Sequence, residues 1–174
     1  ITGTAVFYKT FHTTEIMRRI TARLFEPAKR VRCELGEAPI WDDRVCGGRL
    51  LWVDVMSARI FVYQGGDVEE HRLLEHTRYV STVVPSRDQR DTVILGTKEG
   101  FAKYNLSTKV FTPHPSNPIH SAGMGCEARM NDGKVDPNGR LWCGSLVRSS
   151  KDLDLVPGAA SLYVLEGWSA KSPP

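Results

Sequence analysis

The sequence predicts an all-β protein of the β-propeller type, and three observations support this fold class. From residue 30 onward the pattern has the period of strands, and no amphipathic helix of useful length interrupts it. Turn residues, chiefly glycine, proline and asparagine, separate the short apolar runs. A strand–turn–strand unit recurs with starts near residues 50, 93 and 141. This spacing of about 43 to 48 residues is typical of one four-stranded propeller blade.

Each copy of the unit begins with one predicted strand and returns in a second, and the second copy adds a third strand. The first copy follows a segment at 32–41 that Gly36 and Pro39 interrupt, as in an edge strand or a strand entry. The predicted strands are 50–55 and 59–63, then 92–97, 101–104 and 109–112, then 140–145 and 161–165. This makes about three blades, fewer than the roughly four or more that close a propeller. We therefore expect residues 30–174 to be the N-terminal half of a longer propeller domain.

Residues 1–29 form an N-terminal extension of uncertain origin. The chain begins with Ile1, and its first methionine is Met17, so either the N-terminus is incomplete or Met17 is the true start. Residues 17–25 carry arginines and only late acids. That pattern favours a first strand or a helical leader, with a short organellar presequence as the alternative.

Composition narrows the class of protein. Of the 174 residues, 41% are hydrophobic and 25% charged, as in globular domains. The net charge of +3 comes from scattered residues, so we expect no nucleic-acid partner, and no apolar run approaches the roughly 20 residues that span a bilayer. The cysteines at 33, 46, 126 and 143 lack zinc-like spacing and are predicted to be reduced, mostly buried thiols of a cytoplasmic protein, although disulfides remain open. His71 and His76 are predicted to lie at the surface.

The most informative stretch is 129–144, where a polar cluster precedes a turn and an apolar strand. Asp136-Pro137-Asn138-Gly139 is typical of a type I turn that leads into a hairpin. Arg129 and Asn131 are two residues apart, so an extended backbone places both on one face, where they suit a polyhydroxy or carboxylate-bearing ligand. The alternative is a loop salt bridge followed by an Asn–Asp turn, and Asp132 and Asp136 are candidates for turn stabilisation alone.

Glu37 is the third candidate, a single acid held between Gly36 and Pro39. On local sequence alone, an ordinary solvated loop residue remains the alternative to a site residue.

Three segments together carry a resemblance to a known family. They are LGEAPIWD at 35–42, LWVD at 51–54 and RMNDGKVDPNGRLW at 129–142. Over about residues 30–165 the chain resembles the regucalcin/gluconolactonase (senescence-marker-protein, SMP-30-like) family. The resemblance implies a six-bladed β-propeller with one divalent metal ion (Ca, Zn, Mg or Mn) and hydrolysis of sugar lactones as the small-molecule substrate.

The resemblance also implies roles for individual residues. Glu37 matches the family's first metal ligand, and Arg129 and Asn131 match its substrate-contacting pair. The remaining metal ligands and the general-base aspartate fall in later blades, so we expect no catalytic residue within this chain and no activity from it alone. Ser149 stands where regucalcin has a substrate-contacting glutamate, which puts the regucalcin substrate preference in doubt. The alternative function is a calcium-binding regulatory propeller without significant catalysis; the sequence does not indicate an oligomeric state.

Overall fold

The fold consists of three antiparallel sheets in which each strand pairs with its neighbour along the chain. The computed structural model describes residues 31–116, 119 and 126–168, and these contain eleven strands and no helix. The first sheet is β1 (Gly36–Asp42), β2 (Arg49–Asp54), β3 (Arg59–Gln64) and β4 (Asp67–Arg72). The second is β5 (Val80–Pro85), β6 (Thr92–Thr97), β7 (Phe101–Asn105) and β8 (Phe111–Pro113), and the third is β9 (Cys126–Val135), β10 (Leu141–Ser149) and β11 (Leu162–Leu165). The predicted class, all-β with about three blades, is confirmed.

The sheets pack face to face through two hydrophobic clusters. The cluster between the first and second sheets includes Leu51, Val53, Ile60, Val83 and Leu95. The cluster between the second and third includes Val84, Phe101, Met130, Leu141 and Cys143. Because successive strand residues point to opposite faces, the adjacent Val83 and Val84 serve different clusters. The second sheet is therefore buried on both faces.

The structure contains three strands that the sequence pattern did not predict: β9 (Cys126–Val135), which carries the polar cluster, and the two strands β4 and β5. In β4 (Asp67–Arg72) only Val68 and His71 are buried, and the remaining residues are polar or charged. In β5 (Val80–Pro85) the first five residues are all buried, so the apolar–polar alternation that identifies a half-exposed strand is missing. Pairing with β3 and β6 determines β4 and β5, respectively.

The interruption predicted near Gly36 and Pro39 is a β-bulge inside β1. Register shifts between Glu37 and Ile40, and Ala38 lies in the left-handed region with φ of 52°. A bulge inserts an extra residue and re-aims the side chains beside it. β1 is also an edge strand of its sheet, which is where a proline is tolerated.

An aspartate–arginine pair closes the connection between the first two strands in both the first and the third sheet. Asp42 ends β1 and accepts a 2.9 Å hydrogen bond from Nε of Arg49, which begins β2. Asp136 follows β9 and accepts a 2.7 Å hydrogen bond from Nε of Arg140. Burial alone would raise the pKa of Asp42, but hydrogen bonds from arginine outweigh burial and lower it. The predicted turn is present, with Gly139 at φ of 82°.

Gly133 occupies a position with no space for a side chain. A Cβ there would lie 2.8 Å from the carbonyl oxygen of Trp142 and 3.2 Å from Cγ2 of Thr82. Because overpacked substitutions force the surrounding backbone to shift, Gly133→Ala is expected to lower the free energy of unfolding by about 1 to 3 kcal/mol in a urea titration. Gly144→Ala is the matched control, since the nearest atom to its Cβ would be 4.0 Å away. Equal effects of the two substitutions would contradict the packing argument.

The prediction that His71 lies at the surface is wrong, whereas His76 is exposed. The His71 side chain is fully buried, with Nδ1 3.2 Å from the Tyr104 hydroxyl and 3.2 Å from Nζ of Lys109. Glu69, which forms an ion pair with Lys109, lies 3.4 Å from Nε2 of His71. Burial and the positive charge of Lys109 lower the pKa of His71 from 6.5 to about 4, and Glu69 opposes this shift. His71 is therefore neutral in the folded protein at neutral pH.

This depressed pKa predicts acid sensitivity. Between about pH 6.5 and pH 4 the unfolded chain binds a proton at His71 that the folded chain does not, so folding loses up to about 3 kcal/mol as the pH falls through this window. Urea titrations across the window measure this slope. His71→Gln is expected to flatten the slope, and His76→Gln, at an exposed histidine, is expected to leave it unchanged. An unchanged slope in His71→Gln would exclude His71 as its source.

The prediction that the cysteines are mostly buried is correct for only one of the four. Cys143 is buried, Cys33 and Cys126 are half-buried, and Cys46 is exposed, all four as free thiols. Burial raises the pKa of the Cys143 thiol. No thiol in the described ranges is therefore placed next to another for a disulfide. The predictions made for residues 1–29, including the start at Met17, lie outside the described residues.

Candidate functional site

The candidate site lies at the end of the three sheets where their first strands begin. β5 packs against both β1 and β9. Leu35 and Tyr79, which precede β1 and β5, line one pocket together with Arg129 of β9, which shows that the three strands begin at the same end. This pocket, here called the Arg129 pocket, has a volume of about 160 Å³. Its lining residues are Leu35, Met56, Arg78, Tyr79, Glu127, Ala128, Arg129, Leu146, Arg148 and Leu153.

Arg129 and Asn131 lie in β9 and contact each other directly. Nη1 of Arg129 donates 2.9 Å hydrogen bonds to Oδ1 of Asn131 and to the carbonyl oxygen of Met130. This agrees with the prediction that both side chains share a face, and it places them in a strand and not in the loop of the alternative interpretation. Within the described part of the chain, Nε and Nη2 of Arg129 make no hydrogen bond. These donors are available to a ligand.

Two hydroxyl groups of the second sheet hold this part of β9. Ser81 donates to the carbonyl oxygen of Met130 at 2.7 Å, and Thr82 donates to that of Asn131 at 2.5 Å. Ser81 and Thr82 are adjacent, yet both side chains point towards β9. A register shift in β5 between Val80 and Thr82 coincides with this departure from strand alternation. The backbone that carries Arg129 and Asn131 is therefore fixed by two hydrogen bonds, of which the one from Ser81 is buried.

Arg129 is a largely buried cation, and its surroundings are electrostatically mixed. Only 8% of the residue is exposed, and its guanidinium lies over the Tyr79 ring at 5.7 Å from the centroid. Burial lowers the pKa of Arg129, the negative charge of Glu37 raises it, and the positive charge of Arg148 lowers it further. The charges of Glu37 and Arg148 therefore act on Arg129 through space.

Glu37 follows the first residue of β1 and borders the bulge. Its side chain is half-buried, and within the described residues it forms no hydrogen bond and no ion pair. It does not line the Arg129 pocket, and neither does Asn131. The structure thus joins Arg129 to Asn131 by a hydrogen bond. Glu37 interacts with Arg129 only through its charge.

The donor chemistry of Glu37 fits one ligand of a divalent cation. A carboxylate oxygen suits hard cations such as calcium, magnesium and manganese, and this carboxylate is not engaged by another residue in the described segments. Those segments contain no group of three or more His, Cys, Asp or Glu side chains that could hold a metal ion. Glu37 would need further ligands from elsewhere.

The other acids of the polar stretch support the backbone, as one of the two interpretations predicted. Oδ1 of Asp136 accepts from the amides of Asn138 and Arg140, and Oδ2 accepts from Trp142 Nε1 at 2.9 Å. The Trp142 hydrogen bond is the main reason that the pKa of Asp136 lies far below its ordinary value. Asp132 is exposed and accepts from the Gly133 amide.

Ser149 takes part in a turn and does not line the Arg129 pocket. Its hydroxyl accepts a 3.2 Å hydrogen bond from the Lys151 amide, and its carbonyl accepts from the Leu153 amide. In the β9–β10 ladder it pairs with Cys126. Its neighbour Arg148 lines the pocket instead.

Four polar or aromatic pocket residues were missed by sequence reasoning. They are Arg78, Tyr79, Glu127 and Arg148. Glu127 lies two residues before Arg129 and so shares its face, a signal that the alternation rule contained. Arg148 lies opposite Glu127 in the ladder, and Arg78 pairs with Glu127 at 3.1 Å. These relations depend on strand register and on sheet packing, which local sequence does not reveal.

Antiparallel sheets that pack face to face, with their first strands side by side, define a β-propeller-type protein. The model of the SMP-30/gluconolactonase/LRE-like region matches residues 35–172. The chain belongs to this family, which confirms the resemblance. The Bacillus subtilis (strain 168) protein named "Putative sugar lactone lactonase YvrE" is 32% identical over 120 residues, covering 66% of this chain and 36% of that protein. Gallus gallus regucalcin is 28% identical over 134 residues, covering 77% of this chain and 42% of that protein.

Solved structures support the same fold. Regucalcin from Agrobacterium tumefaciens, described as a calcium-binding protein, has a TM-score of 0.61 at 23% identity, covering 78% of this chain and 41% of that one. A luciferin-regenerating enzyme has a TM-score of 0.62 at 22% identity, covering 76% of this chain and 42% of that one. The chain thus spans about two fifths of the length of these relatives.

Proposed function

We propose that the full-length protein is a divalent-metal-dependent hydrolase of sugar lactones and that residues 30–174 form the N-terminal half of its propeller domain. The observation that carries this proposal is the buried Arg129, which is hydrogen-bonded to Asn131 and interacts with the charge of Glu37, whose carboxylate has no hydrogen-bond partner among the described residues. The family match and the lactonase relative support the reaction class. The proposal includes a cytoplasmic location. The described residues contain no helix that is long and apolar enough to cross a membrane.

Arg129 and Asn131 would bind and orient the substrate. The Nε and Nη2 donors of Arg129, which make no hydrogen bond to another described residue, suit sugar hydroxyl and lactone oxygens, while the Asn131 amide both donates and accepts. The hydroxyls of Ser81 and Thr82 hold the backbone of this pair, so little conformational freedom is lost when a ligand binds. The pair would therefore present the lactone in one orientation.

Glu37 would hold the cation as one of several ligands. The bound cation would supply Lewis-acid polarisation of the lactone carbonyl. Addition of water to this carbonyl opens the ring and yields the hydroxy acid. We assign no general base to the described residues, and the chain alone is expected to be inactive. The relevant protein for any assay is the full-length one.

The test is the rate of gluconolactone opening by the full-length protein, with a divalent cation and with a chelator. The expected result is a rate above the spontaneous one that requires the cation. A rate no higher than the spontaneous one would reject hydrolysis. Calcium binding without hydrolysis would support the second candidate, a calcium-binding regulatory propeller, which the calcium-binding regucalcin neighbour favours.

A further inference from the structure

The Arg129 pocket carries more positive than negative charge. Three guanidinium groups line it, those of Arg78, Arg129 and Arg148, against the single carboxylate of Glu127. Glu127 is already paired with Arg78 at 3.1 Å. Arg129 is hydrogen-bonded to neutral oxygens of Met130 and Asn131. Glu37, which does not line the pocket, also acts favourably on Arg129 through its charge, so the uncompensated positive charge of the pocket rests mainly on Arg148.

Among the described residues, Arg148 is a pocket cation with no ion-pair partner. It stands directly opposite Glu127 in the β9–β10 ladder, yet the two form no ion pair. The turn that follows β10 contains Asp152 and Asp154, and neither reaches Arg148; across the described ranges no carboxylate lies within 4.0 Å of its guanidinium. The residue is exposed at the pocket rim. Its guanidinium is free to bind an anion.

Arg148 and Arg129 repel each other, since the charge of Arg148 acts unfavourably on the buried Arg129. A ligand anion between them would convert this repulsion into two attractions. Guanidinium groups match carboxylate and phosphate geometry through paired N–H donors. The positive charges that would bind an anion are therefore already in place in the pocket without a ligand.

The remaining wall limits what the ligand is. Leu35, Met56, Leu146 and Leu153 are apolar, and an apolar wall strengthens charge interactions by lowering the local dielectric constant. The volume of about 160 Å³ suits a small molecule and excludes a folded macromolecule. The ligand is therefore a small anion with some apolar or ring surface.

We propose that the preferred substrate is a small lactone with an anionic substituent, a carboxylate or a phosphate, which Arg148 binds while Arg129 holds the ring oxygens. This inference rests on the proposed lactonase function. It adds Arg148 as the residue that determines the preference for a negatively charged substrate. A carboxylate and a phosphate share the chemistry that a guanidinium recognises, so the experiment separates them.

The kinetic test compares three lactones in the full-length protein with its cation: gluconolactone, which is neutral, glucarolactone, with a carboxylate, and phosphogluconolactone. We expect kcat/KM to be higher for one of the charged lactones. Arg148→Gln is expected to lower kcat/KM for that lactone by on the order of 10- to 100-fold and to leave gluconolactone unchanged. Lys151→Gln is the matched control, because it removes an equal charge from the adjacent turn outside the pocket.

Equal kcat/KM for neutral and charged lactones, or equal losses for all three in Arg148→Gln, would overturn the inference while leaving lactone hydrolysis intact. Calorimetric titration with glucose, glucuronate and glucose phosphate separates the remaining outcomes, because these ligands undergo no hydrolysis. Anion binding that Arg148→Gln abolishes, in a protein that opens no lactone, would reject the proposed function and retain the anion site. No preference for a charged sugar in either experiment would reject the inference.

Discussion

Replacing Glu37 with glutamine is expected to lower metal-dependent lactone hydrolysis by the full-length protein by at least about 100-fold. Glutamine keeps the size of the side chain and the bulged strand β1, but it exchanges a charged oxygen for a neutral amide. Loss of residues that merely orient metal ligands costs about 10- to 100-fold in affinity or activity, so loss of a ligand costs at least as much. The measurements are kcat/KM for gluconolactone and titrations with calcium, magnesium, manganese and zinc.

Glu34→Gln is the matched control for this experiment. Glu34 is exposed, and its backbone amide, not its side chain, donates to Asp54. The Glu34→Gln substitution therefore removes the same charge three residues from Glu37 and leaves the proposed site unchanged. A Glu37→Gln protein that binds the cations as tightly as the unsubstituted protein would reject the ligand role of Glu37. Weaker binding in both variants would indicate a general charge effect.

Replacing Asp54 with alanine is expected to lower the free energy of unfolding by about 3 to 5 kcal/mol. Asp54 is fully buried at the end of β2 and accepts hydrogen bonds from the amides of Glu34 and Leu35, each at 3.0 Å, and from Nη2 of Arg59 at 2.6 Å. Removal of one partner of a buried ion pair costs about this amount. Here the two amides lose their acceptor, and Arg59 keeps only the longer pair with Glu70 at 3.4 Å. Urea titration at neutral pH measures the loss.

The pKa of Asp54 gives a second, independent measurement. Burial would raise this pKa, but the Leu35 amide, Arg59 and the Glu34 amide outweigh it and lower it from 3.8 to about 2. Because the folded pKa is depressed, the stabilisation is present above about pH 4 and is lost as the pH falls through 2, an effect of about 2 kcal/mol. Asp54→Ala is expected to lose this acid dependence.

Asp67→Ala is the control for Asp54, since Asp67 is exposed at the start of β4. Its substitution is expected to change the free energy of unfolding by less than about 0.5 kcal/mol. A similarly small effect for Asp54→Ala would show that the buried pair contributes little. Because Asp54 ties the segment before β1 to β2 and β3, this pair also supports the strand that carries Glu37.

The local turn chemistry was predictable because it acts within a few residues. The Asp136–Gly139 turn depends on a proline, a glycine at positive φ and a carboxylate that accepts nearby amides. The paired placement of Arg129 and Asn131 follows from strand alternation alone. Strand β5 was not predictable in this way, because its two buried faces remove the alternation.

Long-range relations decided the rest. His71 lies in a strand whose sequence is mostly charged, and its surroundings include Tyr104 of β7 and Lys109 of the connection between β7 and β8. The electrostatic contact between Glu37 and Arg129 joins residues more than ninety positions apart in the chain. Their roles as metal ligand and substrate-binding residue remain predictions.

By itself the sequence determined the all-β class, the recurring sheet unit and the family, since these rest on period, turn residues and motifs along the chain. Only the tertiary structure decided which side chains meet. Ser149 and Arg148 are adjacent, yet only Arg148 lines the pocket, because neighbouring strand residues face opposite sides and the register of β9 against β10 selects the side. A free arginine becomes a candidate anion-binding residue only when packing brings a second guanidinium beside it.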